Sequence, residues 1–567
     1  MFNDAYRFRV DPLSYEYTTI MEIKAWTKWM LLVIAAGICF SENIEVSTPK
    51  GKIIGSDRLR TTFGDRIIYS FTNVPYAKPP VGVMRFQEPE ELDSWDDPIN
   101  ATTNVPYCPQ LVNDNAPHPQ VMGVEDCLAL NVYTPKVNKS AKLPVMIFFH
   151  GGNFDAGSSA LYGPELMLDK DICLVTVNYR LGVLGFLTTC DEFIPANIGL
   201  KDQSLAIRWV HDNIEYFGGN PDLITVMGES AGAASTHLHL LSPLSKDYIQ
   251  RGIIMSGTAH CPWGFMTRRL AIYRTKALAV LCGCPPNPSS ELRECLQTVP
   301  LQQILDAARK FHEWILVPPI VYRPTIEKNN TKNFLPQDPR TLESKIPVLM
   351  GMTSGEGGLF APKILNAGPE YENDLKTIPY YILPRLLLLR EDFSKDKVRA
   401  VTDEIMEHHF GQKTIDYNQI GGIVELFTDR WFLYGVLETA ENYKGEAYLY
   451  YYDYLHTDFR KTPVARNRVE GTVSHADDLL DFFPLLKNRT WTDEEIAVSK
   501  KNIDLWTYFA IHGTPNRTEF PDWDTADTKK YLHITGDGLT VEEDLLPERV
   551  NFWRSLYSNQ SSSERQS

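Results

Sequence analysis

The chain has 567 residues, 43% of them apolar and 23% charged, with a formal net charge of −16. These are ordinary globular proportions, and the length suits one large α/β domain with a sizeable core. The acidic balance excludes nucleic acid, whose phosphates it would repel, and suits neutral or cationic ligands.

Residues 21–41 read as a secretory signal peptide. Met21 opens the segment, Lys24 and Lys28 supply its charge, an apolar run covers 30–40, and polar Ser41-Glu42-Asn43 follow. The run is short for a membrane span, the alternative being an uncleaved signal anchor. Residues 1–20 are polar and read as a gene-model extension or a disordered lead, with translation starting at Met21. Residues 42–557 read as a single domain, and 558–567 as a disordered polar tail carrying no stalk or lipid-anchor signal. A secreted, extracellular chain is expected to carry glycans and disulfides. Acceptor sequons begin at Asn100, Asn138, Asn329, Asn488, Asn516 and Asn559. Among nine cysteines, Cys39 lies in the signal. The short-loop pairs Cys108 with Cys127 and Cys284 with Cys295 are favoured, although sequence alone does not fix connectivity. Cys173 reads as a buried thiol, and Cys190, Cys261 and Cys282 stay unassigned.

Apolar strand-like runs recur at 143–149, 172–177, 223–226, 347–350 and 447–452, with helical patterns such as 203–217 between them. The alternation predicts a mostly parallel sheet with helices on both faces. Such sheets put their sites at the carboxyl ends of strands.

The chemistry-bearing residues follow those runs. Gly228-Glu229-Ser230-Ala231-Gly232 comes between a β-branched run and a small-residue helical stretch, the context of a nucleophile elbow. A G-x-S-x-G arises by chance about 0.2 times in a chain this long, so the pentapeptide needs partners. His150-Gly151-Gly152-Asn153-Phe154 follows the 143–149 run, and its backbone N–H groups, with that of Ala231, suit an oxyanion hole. Glu356, between two glycines after the 347–350 run, is the candidate orienting acid. His475 follows a glycine loop, precedes acidic residues and comes last, giving the Ser, Glu, His order of this chemistry. His237/His239 and His408/His409 raise the question of a metal. No cysteine or carboxylate cluster at ligand spacing joins them in the sequence, so they read as surface or packing residues, and neither metal nor cofactor is expected.

Further motifs make the resemblance specific. They include Phe71-Thr72-Asn73-Val74-Pro75-Tyr76-Ala77-Lys78-Pro79-Pro80, Glu125-Asp126-Cys127-Leu128-Ala129-Leu130-Asn131-Val132-Tyr133, Asn178-Tyr179-Arg180-Leu181-Gly182 and Gly199-Leu200-Lys201-Asp202-Gln203. Over residues 44–553 the chain resembles type-B carboxylesterases of the carboxylesterase/cholinesterase family, most of all insect secreted esterases. The resemblance implies an α/β-hydrolase fold and a triad of Ser230, Glu356 and His475. It implies an oxyanion hole from Gly152, Asn153 and Ala231, and ion pairs Arg85–Glu125 and Arg180–Asp202 around the gorge. It also supports both disulfide pairs. Asn153 departs from the usual Gly or Ala and is expected to affect deacylation or substrate size.

Hydrolysis of small lipophilic carboxylic esters through an acyl-enzyme is the expected function, with xenobiotic, pheromone, odorant or dietary esters as substrates. No Trp lies between Cys108 and Cys127, which disfavours a choline-ester site. Glu229 disfavours a juvenile hormone esterase, a group that resembles G-Q-S-A-G. A non-catalytic adhesion or scaffold protein of the neuroligin or glutactin kind would typically lose a triad member. A slow-turnover scavenger would show a burst without turnover. Trp263 and Phe265 are candidates for an acyl-pocket wall or for core packing.

Overall fold

The five runs read as strands all lie in one sheet of a computed structural model, which describes residues 43–112, 119–315, 317, 319–327, 332–412, 415, 419–457, 469, 471–486 and 489–558. The signal segment, the tail beyond Ser558 and the sequons at Asn329, Asn488 and Asn559 lie outside the described residues. Residues from Ile44 onward form one compact unit.

Seven parallel strands build the centre: β1 (Leu143–Phe149), β2 (Cys173–Val177), β3 (Gly219–Glu229), β4 (Arg251–Met255), β5 (Val348–Thr353), β6 (Ala447–Tyr452) and β7 (Lys530–Thr535). Their spatial order is β2-β1-β3-β4-β5-β6-β7, and antiparallel strands at both ends, with the short parallel strand Ile99–Asn100, extend the sheet to thirteen. The side-chain period of two sorts each apolar run onto two cores. Val145, Ile147 and Phe149 of β1 enter one core, while Met146 and Phe148 enter the other. Burial on both faces explains why these strands are continuously apolar rather than alternating.

The helical pattern at 203–217 is the body of α1 (Ile198–Asn213) with a 3-10 turn after it. The helix after the elbow is α2 (Ala231–Leu241), all of it buried. On one side of the sheet lie α3 (Lys395–Phe410) and α4 (Ile420–Thr428), the latter running through a π-helical turn, Asp429–Leu433, into the helix Tyr434–Asn442. The C-terminal helices are α5 (Asp493–His512) and α6 (Pro547–Ser558).

Disulfides join Cys108 to Cys127 and Cys284 to Cys295. Cys173, Cys190, Cys261 and Cys282 are buried thiols. Arg85 grips Glu125 with two bonds of 2.6 Å and donates to the carbonyls of Leu296, Gln297 and Val299, so one guanidinium ties both disulfide-bearing segments together. Arg180 holds Asp202 through bonds of 2.8 and 2.5 Å, both side chains buried. Among the described residues no helix is long and apolar enough to cross a membrane.

Candidate active site

Ser230 stands where β3 ends and α2 begins, with φ 58° and ψ −120°, a conformation that L-residues avoid. Two glycines make the turn possible. A Cβ on Gly228 would meet Gly232 O at 2.3 Å, and one on Gly232 would meet Phe149 O at 1.9 Å. Helix and strand therefore pack backbone to backbone, and Ser230 N donates to Met255 O at 2.9 Å to fix the turn. Strain of this kind persists only where the surroundings over-determine it, and it concentrates at functional sites.

Glu356 follows β5, and Thr353 N donates to its Oε1 at 2.8 Å. The other oxygen, Oε2, accepts from His475 Nδ1 at 2.5 Å. His475 sits in a loop whose neighbour Val473 accepts from Gly355 N at 2.9 Å, so the two loops are stitched by backbone before their side chains meet. Among the described residues no hydrogen bond joins the ring to the Ser230 hydroxyl. Instead Glu229 Oε1 lies 3.0 Å from His475 Nε2, at ion-pair distance but off the line of a hydrogen bond. The residue before Ser230, read in the sequence only as part of the elbow, thus reaches the candidate base.

Burial works against a charged His475, but the carboxylates of Glu229 and Glu356 outweigh it and push the ring up to about 10. Asp478 completes the acidic group. Burial first, then the charges of Glu229 and Glu356, hold it well above the usual carboxylate range, and Tyr450 OH donates to its Oδ2 at 3.1 Å.

The candidate oxyanion loop leaves β1 at His150. Gly152 takes φ 106°, and both Asn153 (φ 59°) and Phe154 (φ 58°) are left-handed. Asn tolerates that region better than most residues, which is how it stands where Gly or Ala is usual. Gly151 has a different reason to be small: a Cβ there would lie 2.5 Å from Glu229 Oε2 and 2.9 Å from Ser230 Cβ. His150 is buried, which lowers it to about 4 and keeps it neutral. Its ring stacks on Tyr179, whose hydroxyl donates to His150 O at 2.7 Å. Ala231, the first residue of α2, has no intrahelical acceptor for its N–H.

A narrow cavity of about 20 Å³ opens beside Ser230, lined by Asn153, Trp263, Ile320, Phe360, Trp431 and Phe432 among others. Trp263 donates to Trp431 O at 2.8 Å, and the Phe432 and Phe360 rings flank His475 at 4.7 and 5.6 Å. Phe265 is not in this wall; Arg340 sits over its ring. Phe360, Trp431 and Phe432 carried no signal in the sequence, because the π-helical turn that presents two of them has no motif. His239 is buried and bonded to Ser245 and Gln203, and His237 accepts from Ala259 N, so both are packing residues. The second histidine pair differs. In the sequence the pair reads as lacking a carboxylate cluster at ligand spacing, yet the fold sets Glu425 beside it. Residues distant in sequence become neighbours when two helices pack, and a spacing argument along one segment misses them.

A parallel sheet, a strained serine between strand and helix, and a His–Glu pair at the strands' carboxyl ends define an α/β-hydrolase. The profile described as the carboxylesterase family matches residues 42–553, and the chain belongs to that family. It is a carboxylic ester hydrolase. It is 36% identical to juvenile hormone esterase of Tribolium castaneum over 560 residues, covering 91% of this chain and 94% of that one. With esterase FE4 of Myzus persicae it shares 35% identity, covering 88% and 91%. The crystal structure of juvenile hormone esterase from Manduca sexta, with OTFP covalently attached, superposes with a TM-score of 0.79 at 28% identity, covering 91% of this chain and 100% of that one.

Proposed function

We propose that the protein hydrolyses small lipophilic carboxylic esters through an acyl-enzyme on Ser230. The 2.5 Å bond between His475 and Glu356, beside the strained turn at Ser230, carries this reading. His475 Nε2 takes the serine proton as Oγ attacks the ester carbonyl, and returns it to the departing alkoxide. Glu356 fixes the ring tautomer and stabilises the imidazolium. The N–H groups of Gly152, Asn153 and Ala231 receive the oxyanion. Water, deprotonated by His475, then attacks the acyl carbon and frees Ser230. Glu229 sets the pH at which the ring is neutral.

The aromatic wall fits an apolar acyl group, and the narrow cavity favours a short one. Asn153, projecting into that cavity, is expected to slow deacylation of longer acyl groups; Asn153→Gly should raise the deacylation rate for butyrate over acetate. Secretion suits the disulfides. Glycans are expected at the exposed Asn100 and Asn138, whereas both amide atoms of Asn516 are already bonded to the Trp523 backbone. Juvenile hormone hydrolysis is the second reading, favoured by the two juvenile hormone esterases among its relatives and opposed by Glu229.

Turnover of p-nitrophenyl acetate, butyrate and hexanoate, and of a long-chain methyl ester bearing an epoxide, tests these readings together with Ser230→Ala. Turnover that falls with acyl length and is lost in Ser230→Ala is expected. A preference for the epoxy methyl ester would favour the second reading, and Ser230-independent hydrolysis would overturn both.

A further inference from the structure

Away from the active site, His409 in the last turn of α3 has a fully buried imidazole with neither ring nitrogen in a hydrogen bond. Burying polar groups without partners is costly, so such a site calls for an occupant. Its surroundings are metal-ligand donors. Glu425 Oε1, from α4, lies 3.3 Å from His409 Nδ1 without hydrogen-bond alignment. Asp429 Oδ2, itself buried and unbonded, lies 4.0 Å from Nε2. His408 brings a ring nitrogen within 4.8 Å of the other two donors. Its ring lies flat on Phe552, 3.8 Å between centroids, a contact that uses the face of the imidazole and spares its edge.

We infer that His408, His409 and Glu425 bind one divalent transition-metal ion of the Zn²⁺ class, with Asp429 facing the far nitrogen of His409. Bonds of about 2.0–2.1 Å place tetrahedral ligands about 3.3 Å apart. The distance between His409 Nδ1 and Glu425 Oε1 is already 3.3 Å. His408 closes the remaining gap by turning its exposed side chain, and water takes the fourth position. Two imidazoles and one carboxylate select Zn²⁺, Co²⁺ or Cu²⁺ over Mg²⁺ and Ca²⁺, which prefer all-oxygen sites. Asp429 Oδ2, 4.0 Å from Nε2, would fix the tautomer of the ligating ring if it closed to hydrogen-bond distance on metal binding. Arg549 is the competing cation, but it takes the outer oxygens. It donates to Asp429 Oδ1 and lies 3.7 Å from Glu425 Oε2, leaving Oδ2 and Oε1 for the site. The carbonyl end of α3 adds negative potential at the two histidines. The bound ion would clamp α3 to α4, the helix whose Thr428 hydroxyl accepts from Gly357 N next to Glu356.

The test uses the full folded chain, stripped with chelator and then titrated with Co²⁺, read by its visible absorption, and with Zn²⁺, read by calorimetry. One equivalent per chain is expected, with affinity falling about tenfold or more in His408→Ala and in Glu425→Gln. Zn²⁺ should raise the thermal midpoint of the wild type and not of His408→Ala. Because His408 is exposed, that variant is expected to fold and to keep the metal-free esterase rate, and Glu425→Gln decides if it does not. Lack of a saturable one-to-one Co²⁺ spectrum overturns the site. So does Zn²⁺ affinity unchanged in both variants, which would place the ion on other histidines.

Discussion

Glu229 shows how one side chain would reset the proposed reaction centre. Its carboxylate faces His475 Nε2 at 3.0 Å while Glu356 bonds Nδ1 at 2.5 Å, so the ring lies between two negative groups. Those charges favour the imidazolium and push it up to about 10 against the opposing effect of burial. A base must be neutral to accept the serine proton, so kcat/KM should rise with pH as the ring loses its proton. Glu229→Gln removes one charge and keeps the shape. The proton then binds His475 less tightly, and the rising limb should move to lower pH by about one unit or more. The pH dependence of kcat/KM for p-nitrophenyl acetate measures this. A limb that stays in place would mean that no carboxylate charge faces the ring from Glu229. In the sequence this role was invisible. The motif showed which residue precedes Ser230 but not where its side chain turns, which Gly151 decides by leaving room for the carboxylate.

At the scale of elements, the proposed acyl wall depends on an irregularity. The π-helical turn Asp429–Leu433 interrupts an otherwise α-helical run from Ile420 to Asn442. An added residue in a helical turn shifts the side chains after it around the axis, and such turns recur at functional sites. Here Trp431 and Phe432 face the cavity beside Ser230. Phe432→Ala should open that cavity and raise the hexanoate-to-acetate ratio of kcat/KM about tenfold or more, since each methylene accommodated in an apolar pocket contributes about 1–3 kcal/mol. An unchanged ratio with a lowered kcat would assign the ring to holding His475 instead of sizing the substrate. The contrast with the strands is physical. β1 and β6 have the bounds expected from 143–149 and 447–452, because a doubly buried strand must be a continuous apolar run bounded by turns. β3 extends beyond 223–226 at both ends, where Asn220, Pro221 and Gly228 hide strand geometry from propensity. The π-turn has no apolar period of its own; partners distant in sequence fix it, Arg549 on Asp429, Asp392 and Tyr557 on Arg430, and His475 beside Phe432.

At the scale of the whole molecule, sequence motifs far from Ser230 turn out to be long-range ties. Asn178-Tyr179-Arg180-Leu181-Gly182 and Gly199-Leu200-Lys201-Asp202-Gln203 meet in the buried Arg180–Asp202 pair, which fastens the segment after β2 to α1. The same segment carries Tyr179, the support of His150 and so of the oxyanion loop. Residues of this kind are legible as motifs because they are fixed by partners, but the partners follow only from the fold. Burial penalises the Asp202 charge most, and Arg180 offsets it. The pair is therefore costly to break from one side and cheap to replace as a unit. Asp202→Asn should leave an uncompensated buried guanidinium and destabilise the protein by about 3–5 kcal/mol, whereas Arg180→Met with Asp202→Leu should recover most of that loss. A large disulfide-bonded chain unfolds irreversibly, so the readout is the half-life of esterase activity at fixed temperature. The single variant should inactivate far faster than the wild type and the double variant at an intermediate rate. Equal rates for single and double variants would show that Arg180 is held by the carbonyl of Gln87, its other partner, and that the tie between the two motifs runs through backbone and not through charge.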